Sequence, residues 1–459
     1  MRTTTMRKYW YLLIFPFLAL VYFNVALVPG NTLFGTDYLG GGAYDGRKFV
    51  QDYIHSHGEF PMWNPYTNSS MVNNTTGDLL YPISVILYQF LPVQSVQVWS
   101  YFIHICLAGI FFYLFALRIG SKRWGAVFGG VAYMFTGQIV SLIYAGQDGK
   151  IIVSCLLPAL LYFTDVYFDK QEWRWFIPIS VVFAFMLLSS HVQMSFYSIL
   201  IGGIYAVKKA INNKWWIGLV ITLIIPIAGL CLAGVEYVPF LHHIPQSERF
   251  GGQWSTANTQ SWSMPPSETI GLAFPKVFGL LENYHGENQF KLHTEYLGLI
   301  VCVFAIVGVF KYSKWFWLGL AVIGCLVSWG THTPFGNLIL IIPLYSKFRA
   351  VGMAFFVVSF AFCMLASFGF GVIKKVWLSV GLCILSFIDL WIIDKLFFHV
   401  VQPFDLWRYG SAEYATPLQF TNPYNKWFWF GSLLSLATSA ILTLIFFWSK
   451  RSPDDSDCS

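Results

Sequence analysis

The chain has 459 residues, 56% of them hydrophobic and only 11% charged, whereas a soluble domain carries about a quarter charged residues. With a mean hydropathy of +0.58, this composition excludes an ordinary soluble domain and points to a polytopic membrane protein. The net charge of +6 does not argue for a nucleic-acid partner, because the basic residues flank apolar runs instead of gathering on one face.

A membrane-crossing helix needs about 20 predominantly apolar residues. Twelve such runs follow one another, near 9–28, 97–117, 124–143, 151–168, 175–190, 191–208, 215–235, 294–311, 314–330, 350–373, 376–396 and 427–448. The fifth and sixth are almost continuous across Ser189, Ser190 and His191. They are read as two, because one long helix would break the charge alternation. Lys/Arg clusters occupy every second gap: Arg2, Arg7 and Lys8; Arg118, Lys122 and Arg123; Lys170 and Arg174; Lys208, Lys209 and Lys214; Lys311 and Lys314; Lys374 and Lys375; Lys450 and Arg451. Short loops rich in Lys and Arg stay in the cytoplasm. An even number of spans then places both termini inside, in a multi-pass protein of the cell (inner or plasma) membrane. The first run follows a basic start and lacks a small-residue cleavage site, so it reads as a retained span.

Residues 1–459 form one transmembrane domain on this reading. Residues 29–96 are a first extracytoplasmic loop, 236–293 a middle one and 449–459 a cytoplasmic tail. Loops of that length usually carry function or structure of their own. The first begins an amphipathic helix at Gly46–His55 and then turns through Pro61-Met62-Trp63-Asn64-Pro65. The run Leu79–Leu91, holding Pro82 and ended by Pro92, reads as a re-entrant or interfacial helix. Asn68, Asn73 and Asn74 begin sequons that matter only in a secretory-pathway host. The cysteines form no CxxC pair or Cys/His cluster, which gives no basis for a disulfide framework or metal site. The pairs His55/His57 and His242/His243 lack partner carboxylates at ligand spacing.

Polar residues able to do chemistry crowd on the extracytoplasmic side. Asp37, in Phe34-Gly35-Thr36-Asp37-Tyr38, is placed to act as a general base at the interface, or simply to solvate a turn. Lys150, in Gly146-Gln147-Asp148-Gly149-Lys150, sits where a helix N-terminus and an ammonium could hold an anion, or where a lysine snorkels to the interface. His191 and Gln193 interrupt an apolar stretch, and Glu236 closes the seventh span. Arg249 and Arg349 map to the same face, and arginine suits phosphate because its planar fork donates two parallel hydrogen bonds. Asp389, inside the eleventh run, reads as a proton relay or, in preference, a protonated donor for helix packing.

The ordered set of these motifs resembles the bacterial YfhO family of membrane proteins. The match runs from about residue 9 to about 395 through Gly35-Thr36-Asp37, Gly58-Glu59-Phe60-Pro61-Met62-Trp63-Asn64-Pro65-Tyr66, Gly146-Gln147-Asp148-Gly149-Lys150, Ser190-His191-Val192-Gln193, Ser247-Glu248-Arg249, Phe274-Pro275-Lys276-Val277-Phe278-Gly279, Glu295-Tyr296-Leu297-Gly298 and Phe348-Arg349. The resemblance implies an all-α, GT-C-like fold with about twelve transmembrane helices. It also implies an inverting transfer of sugar from a polyprenyl-phosphate carrier to an envelope polymer, lipid or protein. Asp37 would be the catalytic base. Lys150, Arg249 and Arg349 would bind the donor phosphate, and Trp63, Asn64, Tyr66, Gln147, His191, Gln193 and Glu236 would contact substrate. Membrane lipids and a partner subunit are the other expected contacts. The resemblance specifies no cofactor and leaves a divalent cation open. The sequence departs from the family's usual residues at Gln147, Val351 and Met353. Two alternatives stand beside this one: a transporter or flippase of a lipid-linked sugar or polysaccharide, and a non-catalytic scaffold that keeps the fold.

Overall fold

The computed structural model describes residues 10–61, 63–64, 71–72, 79–246, 250, 255–288, 291–343, 345–402 and 425–448. Each of the twelve apolar runs holds helix, though not always over its whole length: the first is helical only to Phe23 and that near 294–311 only from Leu299. Among the described residues, seven helices are long and apolar enough to cross a membrane: Val93–Arg118, Arg123–Ala145, Asp148–Lys170, Trp315–His332, Val351–Val372, Val376–Phe397 and Trp429–Phe447. A bent pair, Trp216–Leu232 with Gly234–His242, counts as an eighth only if its two limbs are taken as one span. This is a multi-pass membrane protein, but a count of twelve full spans does not follow from its helices. Trp10–Phe23, Trp173–Leu188 and Leu299–Tyr312 are shorter. The last has 14 residues and reaches about 21 Å at 1.5 Å per residue, short of a 30 Å hydrocarbon core. The runs near 175–190 and 191–208 are indeed separate helices, ending at Leu188 and resuming at Val192.

Three helices define the bundle's polarity. Val93–Arg118, Asp148–Lys170 and Val192–Asn213 run parallel, so all three start on one face. At their opposite ends Arg118 pairs with Asp165 (2.5 Å) and Asp169 (2.8 Å), and Lys209 pairs with Asp165 (2.9 Å) and with Asp169. Tyr205 donates to the same Asp165 (2.5 Å). Asp165 is buried, and a buried carboxylate without partners is costly; these contacts therefore fix how the helix ends meet. Elsewhere small residues let backbones touch, as membrane helices require. A Cβ added at Gly308 would lie 2.0 Å from the Leu365 carbonyl oxygen, and one at Gly369 1.8 Å from that of Phe304. Leu299–Tyr312 and Phe355–Gly369 thus pack backbone to backbone.

The run near 215–235 does not continue straight. The chain turns by 83° between Leu232 and Gly234, and the second limb lies against the helix Asn425–Trp448. The Val235 N–H donates to Ser435 Oγ (2.9 Å). The first loop holds a helix at Ala43–His57 and a short one at Pro82–Phe90. Gln51 staples them: its Nε2 donates to the carbonyls of Tyr88 (2.9 Å) and Leu91 (2.8 Å), and its Oε1 accepts from the Val93 N–H (2.9 Å). Thr32–Leu33 pairs antiparallel with Val400–Val401, which ties the segment leading to Asp37 to the chain beyond the helix Val376–Asp394. That helix carries Asp389, which accepts a hydrogen bond from Tyr296 (2.7 Å) in the extended stretch before Leu299.

Candidate functional site

The face on which the three parallel helices begin gathers several turns from distant parts of the chain. The first is a tight turn at Thr36–Gly40. Gly35 lies against Gly146, whose φ is +71°. A Cβ on Gly146 would meet the Tyr38 nitrogen at 2.6 Å, and one on Gly35 would meet the Gly146 Cα at 2.7 Å. Thr36 Oγ1 also donates to the Tyr144 carbonyl (3.1 Å). The result is a backbone-to-backbone junction that sets Asp37 beside the start of the helix Asp148–Lys170. Gly146→Ala is expected to destabilise the protein by about 1–2 kcal/mol for the left-handed backbone alone. Because it also pushes the Asp37 turn away, it is expected to lower activity at temperatures where the variant is still folded; thermal unfolding and a fixed-temperature assay on one preparation check both effects.

Asp37 is exposed and accepts a hydrogen bond from Gln147 Nε2. Partial desolvation by the surrounding chain raises its pKa above the usual carboxylate value, Lys150 pulls it back, Asp148 adds to the rise, and Arg349 pulls it back again. Lys150 and Arg349 therefore both lie within electrostatic reach of Asp37 and of each other. Asp148 itself is buried and committed elsewhere. It pairs with Arg47 (2.6 Å) and accepts from Gln97 (3.2 Å) and Tyr101. Arg47 is buried too and lies over the Tyr38 ring (5.0 Å), so this pair locks the Asp37 turn from behind.

The second wall is the break at Ser189–His191. His191 caps the helix Val192–Asn213 by accepting from the Met194 N–H at Nδ1 (3.3 Å), which assigns its proton to Nε2. Ser190, at φ +61°, donates to Glu236 Oε1 (2.7 Å), so the limb beyond the 83° bend joins the site. Gln193 is buried. Its Nε2 donates to the Tyr197 hydroxyl (3.0 Å), and its Oε1 accepts from the Arg349 N–H (3.3 Å). Gln193 is thus placed to hold the backbone of Arg349. Asn64 is buried next to Gly46, and the Trp63 backbone pairs with Val72. Tyr66 and Arg249 fall outside the described residues.

The structure brings together Asp37, Gln147, Lys150 and Arg349, with His191, Gln193 and Glu236 in the adjoining wall. Among the described residues no three His, Cys, Asp or Glu side chains come together to hold a metal ion. A carboxylate beside two cations, at the starts of two parallel helices whose N-terminal dipoles are positive, can take a proton and hold an anion at once.

The overall fold has a counterpart among solved structures. The structure of the arabinofuranosyltransferase AftD from Mycobacteria superposes with a TM-score of 0.52 at 10% identity, over 85% of this chain and 27% of that one. The fold is GT-C-like. An oligosaccharyltransferase from Archaeoglobus fulgidus aligns less closely, with a TM-score of 0.45 at 14% identity over 86% of this chain and 56% of its own. The chain therefore spans about a quarter of the AftD structure it matches. No protein-family model matches the chain, and no curated protein matches it in sequence. Within this GT-C fold, sequence reasoning had marked Asp37, Lys150 and Arg349. It missed Arg47 and Trp262, which back Asp37 and Arg349 respectively; no local motif marks either.

Proposed function

We propose that the protein transfers a sugar from a polyprenyl-phosphate carrier to a cell-envelope acceptor on the outer face of the cell membrane, as an inverting GT-C-type glycosyltransferase. One observation carries the reading: Asp37 shares its surroundings with Lys150 and Arg349. Asp37 takes the proton of the acceptor hydroxyl. The freed oxygen attacks the anomeric carbon from the side opposite the phosphate. The bond from that carbon to the phosphate oxygen breaks, and its electron pair leaves with the polyprenyl phosphate. Lys150 and Arg349 offset the charge that develops there. Such stabilisation is commonly the largest catalytic contribution, with one lost donor costing on the order of 100- to 1000-fold. Because phosphate leaves as a stable anion, no separate general acid is needed.

Arg249 is assigned to the same phosphate by the YfhO-family resemblance. Gln147, where that family usually has histidine, still supplies a hydrogen-bond donor to Asp37. The fold it shares with AftD supports the reading without naming the donor. The test is to place purified protein in lipid with radiolabelled polyprenyl-phosphate sugars and crude envelope, and to follow loss of sugar from the lipid. Time-dependent loss is expected. If no donor is discharged by any acceptor fraction, the transferase reading gives way to transport or scaffolding.

A further inference from the structure

Trp262 has a φ of +53°, a left-handed conformation that a bulky side chain adopts only when its surroundings impose it. Those surroundings are visible on both sides. Ser263 Oγ donates to the Gln260 carbonyl (2.6 Å) and accepts from the Thr331 N–H (3.2 Å). The Met264 N–H donates to the Ser328 carbonyl (2.9 Å), and Gln260 Nε2 donates to the Gly336 carbonyl (2.9 Å). Gly352 comes so close that an added Cβ would stand 2.8 Å from the Trp262 carbonyl oxygen. The strained turn is thus held from several directions, and its product is specific. Trp262 stays 38% exposed, and the Arg349 guanidinium carbon stands 5.3 Å from its ring centroid.

Arg349 otherwise has an exposed, long side chain on a backbone held by Gln193. An arginine used for a phosphate must present its fork in one direction. A cation held over an aromatic face loses most of its alternative orientations, and tryptophan offers the strongest face. We propose that Trp262 is a positioning residue: its indole face sets the Arg349 guanidinium toward the phosphate of the polyprenyl-phosphate donor, and the strained backbone is retained to aim that face. The proposal deepens the transferase reading and rests on it.

The test is equilibrium binding of a short-chain polyprenyl monophosphate to detergent-purified protein, for wild type, Trp262→Phe, Trp262→Leu, Arg349→Ala and the Trp262→Leu/Arg349→Ala pair. Trp262→Leu is expected to weaken binding by about 5- to 30-fold, and Trp262→Phe, which keeps an aromatic face, to recover most of it. In the Arg349→Ala background Trp262→Leu is expected to change nothing further. A residue that served only the loop's stability would instead give an independent, additive loss. Unchanged binding by Trp262→Leu, or additive losses in the pair, overturns the proposal while leaving the transferase reading in place. If the leucine protein does not fold, Trp262→Asn, which removes the aromatic face and tolerates the left-handed backbone, takes its place alone and with Arg349→Ala, and unchanged binding or additive losses overturn the proposal in the same way. Failure of wild type itself to bind the monophosphate overturns the transferase reading and the proposal with it.

Discussion

Asp37→Asn is expected to lower sugar transfer by about 100- to 10,000-fold, the usual worth of a positioned general base, while the protein stays folded and inserted. Asparagine keeps the size and can still accept from Gln147 Nε2 through its own carbonyl, so the turn at Thr36–Gly40 has no reason to move. The substitution removes the negative charge and with it the capacity to take a proton. Desolvation makes the ionised carboxyl of Asp37 less favourable in the folded protein, and its pKa is raised. The sign follows from linkage. The folded state binds the Asp37 proton more tightly than the unfolded state, so stability falls as pH rises from the ordinary carboxylate value of about 3.9 through the raised one. At neutral pH Asp37 therefore costs stability. Asp37→Asn is expected to melt no lower than wild type there, and to lose that part of the pH dependence. Normal transfer by a folded Asp37→Asn protein would falsify the general-base assignment.

The same electrostatics gives a graded result. The acid limb of the transfer rate against pH is expected above the ordinary carboxylate range. Lys150 and Arg349 both pull the Asp37 pKa down, so Lys150→Gln and Arg349→Gln should each move that limb to higher pH as well as lowering the maximum rate. Rate profiles for the three proteins check this. A limb that stays in place in both variants would mean that neither cation acts on Asp37.

The alternation of Lys/Arg clusters points to a membrane bundle with Asp37, Lys150 and Arg349 on one face, because sidedness is written in charge, residue by residue. What periodicity could not carry was direction. The apolar run near 215–235 ends almost where the backbone turns by 83°, between Leu232 and Gly234, but nothing in its hydropathy says in which direction the next limb leaves or that it delivers Glu236 to Ser190. Likewise the run at 294–311 opens on Thr294 and Glu295, and its helix begins only at Leu299. The preceding residues are spent on extended contacts, with the Leu297 N–H donating to Leu272 and the Tyr296 carbonyl accepting from Gly137. Arg47 and Trp262 escaped notice for a related reason. Arg47 matters through Asp148, far along the chain, and Trp262 through a backbone angle that no spacing encodes.

Lys291 was not marked by any motif, and its removal is expected to have the largest effect on stability of any single substitution in the loops. Its ammonium lies 2.5 Å from Glu268 and 2.8 Å from Glu295, and both carboxylates are buried. Tyr284 donates to the other oxygen of Glu268 (2.5 Å) and His293 Nε2 stands 3.3 Å from Glu295. Burial alone would raise the pKa of Glu295, but Lys291 and His293 more than reverse this and bring it down to about 2. Burial would lower that of Lys291, and Glu295 with Glu268 pushes it above its ordinary value instead. Lys291→Met therefore leaves two like charges desolvated together, at a cost of about 3–5 kcal/mol. The pH dependence follows from the same shifts. Glu295's contribution is present above its unfolded pKa of about 4.3 and is lost as pH falls toward about 2. That of Lys291 is present below about 10.4 and is lost only as pH rises through its higher folded value. Adding Glu295→Gln to Lys291→Met should recover part of the loss, because one of the two stranded charges is gone. Thermal unfolding of the single and double variants decides the matter: equal melting of wild type and Lys291→Met, or no recovery in the double variant, would show that the buried triad does not hold this loop. Sugar transfer well below the melting point should survive in Lys291→Met, since Lys291 is not among the charges that act on Asp37.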